Sequence, residues 1–229
     1  MKKILILCLI LPFQISLTGQ QSISNLGFGY SMVYLNLSEF EDMLVKINTN
    51  NQNLTKTFST DNSFQGFNIF WAIRNKKSIT TLQYSRLNNT YKADGKIPVI
   101  SPNTTSYNIT SFHNLFSFQY DYRILKFIGI GAELGYHYSG FKNKYKDLFF
   151  GEANSVVDKQ GGGFYGANVM LIIPLGSSIS FDIQPFYIQS FRKIDMDNLP
   201  AIYLGQNHST ATKTSVGGYG VHFKFGLKF

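Results

Sequence analysis

The stretch from Ser215 to Phe229 constrains the fold more than any other part of the chain. It reads SVGGYGVHFKFGLKF, and its alternate positions fall into two sets. One set is apolar and mostly aromatic, and it runs from Tyr219 to Phe229. The other set holds glycine, His222, Lys224 and Lys228. Because a strand sends successive side chains to opposite faces, the pattern predicts a strand with one apolar face and one small or polar face.

Seven earlier segments repeat this alternation. With the last one, the predicted strands are 24–36, 64–74, 78–90, 108–123, 127–139, 162–174, 178–191 and 215–229. The connections after the second, fourth and sixth strands are tight: Asn75-Lys76-Lys77, Ile124-Leu125-Lys126 and Leu175-Gly176-Ser177. The other connections are long, at roughly twenty residues each. An even number of strands with alternating short and long connections is typical of an antiparallel up-and-down barrel.

The composition favours a barrel that faces lipid. Charged residues make up 15% of the chain and aromatic residues 16%, whereas a soluble domain has about 25% charged residues. No apolar run approaches the ~20 residues of a membrane-spanning helix. Inside a bilayer every backbone polar group needs a partner, so a closed barrel is the remaining way to span it. We therefore predict an all-β fold, an eight-stranded antiparallel transmembrane β-barrel.

The N-terminal residues read as a secretory signal peptide. A basic Met1-Lys2-Lys3 precedes an apolar run, and Gly19 provides a small residue for cleavage. This predicts a signal peptide over residues 1–19 and a barrel domain over residues 20–229. Cys8 is the only cysteine and lies in the signal peptide, so no disulfide or thiolate metal site is expected in the mature chain.

With these patterns in view, the chain resembles small eight-stranded bacterial outer-membrane β-barrels of the OmpA/OmpX type, especially those of the Bacteroidetes-like group. The resemblance covers the whole mature chain. It implies location in the outer membrane, short periplasmic turns, long outer loops and both termini in the periplasm. It also implies that Phe229 is an insertion signal read by the barrel-insertion machinery.

The inward faces of the predicted strands carry charges. We expect an interior ion-pair network of Arg74, Asp121, Arg123, Glu133, Asp182 and Lys224, because isolated charges inside a barrel are costly. Equal depth suggests Asp182 and Lys224 as the central pair. The alternative is a proton or ion path. Paired carboxylates at Asp121 and Glu133 raise the possibility of acid–base catalysis, although Arg123 beside them favours ion pairing.

Two further features suggest a local role. If the hairpin around Leu125 is symmetric, His113 faces His137 near the outer mouth, either as polar filling or as part of a metal site that needs a third ligand. Residues 38–47 predict a short helix in the first outer loop, capped by Ser38, with Glu41 at capping-box spacing. This helix either packs over the barrel rim or acts as an outer contact or lid.

The sequence favours a non-enzymatic outer-membrane barrel with a structural or surface-interaction role. Bulky inward residues predict an interior plugged by side chains. The expected partners are outer-membrane lipid, the insertion machinery and an extracellular or envelope protein; no nucleic acid, cofactor or metal is expected. The alternatives are a lipid-modifying outer-membrane enzyme, an accessory component of a secretion or gliding assembly, and a soluble lipocalin-like barrel.

Overall fold

The computed structural model describes residues 22–98, 100, 104–149, 151–205 and 212–229. The predicted signal peptide lies outside these residues. The elements in chain order are β1 (Ile23–Asn36), α1 (Ser38–Asn50), β2 (Leu54–Lys56), β3 (Ser63–Arg74), β4 (Ser78–Gly95), β5 (Thr104–Leu125), β6 (Ile128–Asp147), β7 (Gly151–Pro174), β8 (Ile179–Ser190), β9 (Ile194–Asp195), α2 (Asn198–Leu204), β10 (Lys213–Thr214) and β11 (Gly217–Lys228).

Eight of these strands form a closed antiparallel ring. The order around the ring is β1, β3, β4, β5, β6, β7, β8 and β11, and β11 pairs with β1 along twelve residue pairs from Asn25–Lys228 to Asn36–Gly217. Closure removes both sheet edges, so each barrel strand has a partner on either side. The eight-stranded up-and-down barrel predicted from the alternation is confirmed.

The strands are longer than the sequence pattern indicated. The turns at one end are short, as predicted, and Gly176 adopts a positive φ of 92° in the turn between β7 and β8. At the other end, much of the expected loop sequence continues as strand. β6 and β7 extend to 20 and 24 residues and are joined by residues 148–150. These outer halves extend beyond the shorter strands of the ring.

The barrel wall alternates as the sequence predicts. Outward residues such as Phe28, which is 67% exposed, and Leu134, 61% exposed, form an apolar band around the ring. Inward positions are mostly polar or small, and a few hold a large apolar side chain such as Phe70. Gly27 shows why glycine is needed there: a Cβ at this position would lie 2.0 Å from the Phe225 carbonyl oxygen and 2.5 Å from the Phe70 ring. The glycine lets Phe70 fill the lumen.

The predicted helix is present, but its cap differs. α1 runs from Ser38 to Asn50, and its apolar stripe of Phe40, Met43, Leu44 and Ile47 is buried. The Ser38 hydroxyl donates to the neighbouring Glu39 carboxylate at 2.9 Å rather than to a helix amide, and Leu37 occupies the N-cap position without a side-chain cap. The predicted capping box is therefore wrong. The helix is therefore stabilised by burial of its stripe and not by an N-terminal side-chain cap.

A second apolar core closes the outer mouth. We call the unit formed by α1, α2 and the outer halves of β4–β7 the cap. Its core includes Leu37, Phe40, Met43, Leu44, Ile47, Phe58, Tyr91, Ile97, Tyr107, Ile109, Phe141, Ile194, Met196, Leu199 and Tyr203. The Phe40 ring lies 4.8 Å from the Phe141 ring and 5.0 Å from the Tyr91 ring. The helix stripe therefore packs directly on the inner faces of the wall strands.

Candidate functional site

All of the predicted interior charges except Glu133 lie towards the short-turn end of the barrel. Arg74 at the end of β3 forms an ion pair with Asp182 on β8, and their side chains are 8% and 1% exposed. The Arg74 Nη2 atom donates to Asp182 Oδ2. The two strands are separated by β1 and β11 in the ring, so the pair crosses the lumen. A paired arrangement is what burial of two charges requires.

Lys224 does not take the place expected of it. It lies directly beside Asp182 in the register of β11 and β8, yet Arg74 is the residue that pairs with that carboxylate. Lys224 Nζ lies 5.3 Å from the centre of the Phe70 ring and has no hydrogen-bond partner among the described residues. The register places the backbones of Lys224 and Asp182 side by side on neighbouring strands, but the Arg74 side chain extends across the lumen and forms the contact with the Asp182 carboxylate. The predicted Asp182–Lys224 pair is therefore wrong.

The other three predicted charges share no hydrogen bond with this pair, although Asp121 lies near enough to Arg74, Asp182 and Lys224 to interact with them electrostatically. Arg123 lies at the rim, where its guanidinium donates to the carbonyls of Asn75 at 3.2 Å and of Lys126. It fastens two short turns together and does not contact Glu133. Asp121 is fully buried, and neither of its carboxylate oxygens has a hydrogen-bond partner among the described residues.

Glu133 belongs to an amide layer in the middle of the barrel. Gln184 donates to Gln119 at 3.0 Å, and Gln119 donates to the Glu133 carboxylate at 3.0 Å. Beside Gln184 on the neighbouring strand, His222 contacts Ser31 at 2.8 Å and Gln83 at 3.1 Å. Long amides from facing strands therefore fill this level.

A chain of serine and histidine side chains lies beneath the cap. Ser111 lies 3.1 Å from His113 Nε2, and His113 Nδ1 lies 2.9 Å from the Ser139 hydroxyl. Ser139 also lies 3.0 Å from His137 Nδ1, and His137 Nε2 lies 2.8 Å from Ser190. The predicted direct pairing of His113 with His137 is wrong: His113 is paired with Ser139, and His137 with Leu115. The β5–β6 hairpin has an irregularity between Arg123 and Leu125, which shifts the register.

The hydrogen bond at the Ser190 end of this Ser–His series determines the direction of the others. Ser190 Oγ lies 2.7 Å from the Arg192 carbonyl, which can only accept, so the Ser190 hydroxyl donates to it. His137 Nε2 must then donate to Ser190, and its Nδ1 accepts from Ser139. Ser139 in turn accepts from His113 Nδ1. Burial favours the neutral form of both imidazoles, and in that form these hydrogen bonds make them opposite tautomers.

The chemical capacity of this chain is limited by its surroundings. Ser139 is held between two imidazoles, but Ser139 and His113 are each 0% exposed and His137 is 1% exposed. All four imidazole nitrogens of the pair are engaged with serines. Among the described residues, no group of three or more His, Cys, Asp or Glu side chains is arranged to hold a metal ion. The arrangement satisfies buried polar groups and ties β5, β6 and β8 together at the outer mouth.

Glu39 fastens the cap to the last outer connection. Its carboxylate accepts from Lys193 Nζ at 2.5 Å, from the Ser215 amide at 3.1 Å and from the Thr214 hydroxyl at 3.3 Å. Burial would raise the pKa of Glu39, but these hydrogen bonds outweigh it and lower the pKa to about 2. This latch could not be predicted from the sequence, because it joins residues more than 150 positions apart.

The far end of the β6–β7 hairpin exposes two large apolar side chains. Leu148 is 66% exposed and Phe149 is 76% exposed, and they follow directly on the end of β6 at Asp147. Hairpin tips usually carry Gly, Asn, Asp or Ser. Here the sequence KDLFFGE places three large apolar residues between Asp147 and Gly151. These apolar residues are the feature of the sequence that indicates a contact surface.

The band, the ring and the polar lumen together define a class. An apolar outward face with Tyr34, Tyr219 and Tyr187 paired along one rim, over a polar interior, is the arrangement of a small outer-membrane β-barrel. Among the described residues, none of the helices has the length and apolar character needed to cross a membrane.

Comparison with solved structures supports the same class. Ail, the attachment invasion locus protein of Yersinia pestis, solved in complex with the heparin analogue sucrose octasulfate, is 11% identical with a TM-score of 0.50, and the match covers 91% of this chain and 99% of Ail. OprG from Pseudomonas aeruginosa matches at 14% identity and a TM-score of 0.44, over 92% and 97% of the two chains. The outer membrane protease OmpT from Escherichia coli matches at 9% identity and a TM-score of 0.40, also over 92% and 97%. No family model and no curated protein sequence matches the chain.

The chain therefore has the fold of the small bacterial outer-membrane β-barrels. The likeness to Ail carries this conclusion, and it concerns the fold alone.

Proposed function

We propose that the protein is a closed, non-enzymatic barrel of the outer membrane that presents a rigid surface for contact with another molecule. The outer halves of β4–β7 and helix α1 share one buried core across the mouth, while Leu148 and Phe149 project from the tip of the wall. This combination of a sealed mouth and an exposed apolar tip is the observation that carries the proposal. In this proposal both chain termini face the periplasm, next to the short turns.

The lumen supports a plugged barrel. Eight strands leave an interior that side chains can fill, and Phe70, Met170, Phe164 and Phe186 are each at most 5% exposed. The enzyme alternative has less support, because a serine between two imidazoles suits nucleophilic catalysis only where a substrate reaches it. Ser139 lies fully buried beneath the cap.

Planar-bilayer conductance tests the closed barrel. The purified wild-type protein should give no stable porin-like channel, whereas a variant in which residues 38–50 are replaced by a short glycine–serine linker should show increased or fluctuating conductance. Large, stable channels from the wild type would overturn the plugged reading.

Site-specific photo-crosslinking on intact cells tests the contact surface. A benzophenone side chain at position 149 should give a discrete adduct, and one at Val45, an exposed apolar residue of α1, provides the control. An accessory role in an envelope assembly would give an adduct with another envelope protein. Equal labelling from both positions, or from neither, would contradict a specific contact at the tip.

A further inference from the structure

The outer end of β7 forms an open edge of the sheet. Pairing between β7 and β8 begins at Phe164 and Ser190, and the Phe191 amide donates to the Gly163 carbonyl at 2.9 Å. Among the described residues, positions 151–156 of β7 have backbone partners on β6 only. Every second residue there directs its amide and carbonyl groups away from β6. We call positions 151–156 the free edge.

The free edge lacks the usual protection of an exposed strand. Natural sheet edges are commonly protected by lysine, by proline or by a covering segment. The opposite side of this sheet follows that rule, because β2 pairs with β4 at Asp94 and Gly95. The free edge reads GEANSV and contains neither lysine nor proline. It is about 20 Å long, at roughly 3.3 Å per residue, so a strand of the same length can pair with it.

Helix α2 is fixed beside this part of β7. The Asp158 carboxylate accepts from the backbone amide and the side chain of Asn198 at 3.4 and 2.8 Å. Asn198 Nδ2 also lies 3.2 Å from the Val157 carbonyl oxygen, to which it donates. On the buried side of the helix, the Tyr203 hydroxyl donates to Asn143 Oδ1 at 2.5 Å. The position of α2 relative to the strand is therefore set by contacts at both ends of the helix.

The helix and the strand enclose an open groove of about 470 Å³. The groove is lined by Ser155 and Val157 of β7 and by Asn198, Ala201 and Ile202 of α2. Its volume is within the range of ligand-binding clefts, about 300–1,000 Å³. Val157 and Ile202 are half-buried and pack on the cap core, so they give the groove an apolar floor. A peptide that adds a strand to the edge would direct alternate side chains into this groove.

The outward face beside the free edge is basic. Lys144 and Lys146 of β6 are in register with Asn154 and Glu152 of β7, and Lys142 lies on the same face. Lys144 and Glu152 form an exposed ion pair at 2.6 Å, and such surface pairs contribute little. An added strand would lie about 10 Å from β6, a separation that lysine and glutamate side chains can bridge together. The outward face therefore favours a partner with acidic side chains.

We propose that the free edge and the groove bind an extended segment of another protein, which adds as a strand to β7. The alternating side chains of that segment would be small and apolar toward α2 and acidic on the outward face. Pairing with the backbone of the edge supplies affinity, and the two faces supply specificity. The inference goes beyond the contact at the hairpin tip, because it uses backbone groups of β7 and side chains of α2.

Fluorescence anisotropy of the purified protein in dodecyl maltoside micelles tests the proposal. The probe is the labelled peptide EVEVEVE, and KVKVKVK is its charge-reversed counterpart. We expect saturable binding of the acidic peptide, at least about tenfold tighter than binding of the basic one and weaker as the salt concentration rises. Absence of binding up to about 1 mM acidic peptide would overturn the proposal, and so would equal binding of the two peptides.

N-methylated peptides test whether the backbone is recognised. Methyl groups on the valine nitrogens remove the donors along one side of an extended peptide, and methyl groups on the glutamate nitrogens remove those along the other side. Addition to a single edge requires one of the two methylated peptides to lose roughly tenfold in affinity while the other stays within about threefold. Equal losses, or no loss from either, would contradict strand addition.

A variant that fills the groove locates the site on α2. Ala201→Phe places a large side chain in the groove and should lower the affinity for the acidic peptide about tenfold. Val45→Phe enlarges an exposed side chain of α1 and should leave the affinity within about twofold of wild type. Similar effects of the two variants would overturn the assignment to this groove.

A second pair of variants tests the basic face without altering the groove. Lys144→Gln/Lys146→Gln should lower the affinity for the acidic peptide roughly fivefold. Lys76→Gln/Lys77→Gln removes the same charge from exposed lysines of a short turn and should change it by less than about twofold. Equal losses in both would show a net-charge effect and overturn the role of the outward face.

A second copy of this chain is the competing occupant of the free edge. In that case light scattering would show a dimer of the wild type in detergent that Ala201→Phe converts to a monomer, and the assignment to another protein would be wrong. A monomer that binds the acidic peptide supports the assignment. These measurements are independent of the conductance and crosslinking tests, so failure of the peptide site leaves the closed barrel and the hairpin-tip contact to be decided separately.

Discussion

The ion pair across the lumen gives the sharpest test of how the interior is held. Asp182→Asn keeps the shape of the side chain but removes the charge that faces Arg74. Both groups are nearly inaccessible to water, so Arg74 would remain buried beside Lys224 with its counter-charge gone. Removing one member of a buried pair costs about 3–5 kcal/mol. We expect a loss in that range from the free energy of unfolding.

Urea unfolding in lipid vesicles, followed by the fluorescence of Trp71, measures this loss. Trp71 is the only tryptophan and lies on β3, the strand that carries Arg74. Asp42→Asn makes the same chemical change at an exposed position of α1 and should stay within about 0.5 kcal/mol of wild type. The double variant Arg74→Met/Asp182→Asn should recover at least about 1 kcal/mol relative to Asp182→Asn alone, because no unpaired guanidinium is left.

The reasoning would be refuted by two results. A nearly neutral Asp182→Asn would mean that the pair does not stabilise the fold. Strong coupling of Asp182 to Lys224, with none to Arg74, would restore the pairing expected from the sequence and show that the arginine contact is incidental.

Four further changes test other levels of the structure. Because the pKa of Glu39 is lowered to about 2 from an ordinary value of 4.5, its latch should be intact above pH 4.5 and be lost as the pH falls toward 2. Pepsin should therefore cleave Glu39→Gln faster than wild type at pH 4.5, whereas the two proteins should be cleaved at nearly equal rates at pH 2. Equal rates at both pH values would contradict the latch. Leu134→Arg should destabilise the barrel by roughly 2–4 kcal/mol in vesicle unfolding, and Asn154→Arg, beyond the apolar band, by less than about 1 kcal/mol; similar costs would argue against a lipid-facing band. Ser139→Ala leaves a buried imidazole N–H without its acceptor and should lower the free energy of unfolding by about 1–3 kcal/mol in the same assay. An unchanged free energy would show that the Ser139 hydroxyl does not stabilise the hydrogen-bonded Ser–His series. Phe229→Ala should lower membrane insertion in cells while refolding in detergent is unchanged, and an equal loss in both would leave only strand destabilisation.

The faces of the strands could be predicted because alternation is a local property. Phe225 and Lys224 fall on opposite faces whatever their partners are, so period two in the sequence is sufficient to assign them. The Arg74–Asp182 contact could not be predicted in the same way. It depends on how far each strand is staggered around the ring and on the reach of an arginine across the lumen. Neither the stagger nor the reach can be deduced from the sequence of one strand.

The sequence pattern predicts β4–β7 to be shorter than they are, because the outward residues change from apolar to polar along each strand. On β6, Leu134 and Tyr138 face outward with Glu133 and His137 inside, but further on Phe141 faces inward and Lys142 outward. The pattern of alternating apolar residues that predicts a lipid-facing strand stops where the outward residues become polar, so the outer half of each strand is predicted to be a loop.

That reversal has a physical cause, since one strand passes through two solvents. Within the apolar band the outside of the barrel is the nonpolar phase, and the lumen must pair its own polar groups, as Arg74 does with Asp182. Beyond the band water is outside, so burial of Phe40 against Phe141 stabilises the cap as it does in a soluble domain. The cap and the barrel therefore depend on different driving forces. Urea should weaken the Phe40–Phe141 core in water at concentrations that leave the lipid-facing band intact, and the latch at Glu39 is the contact that joins this water-dependent core to the last outer connection.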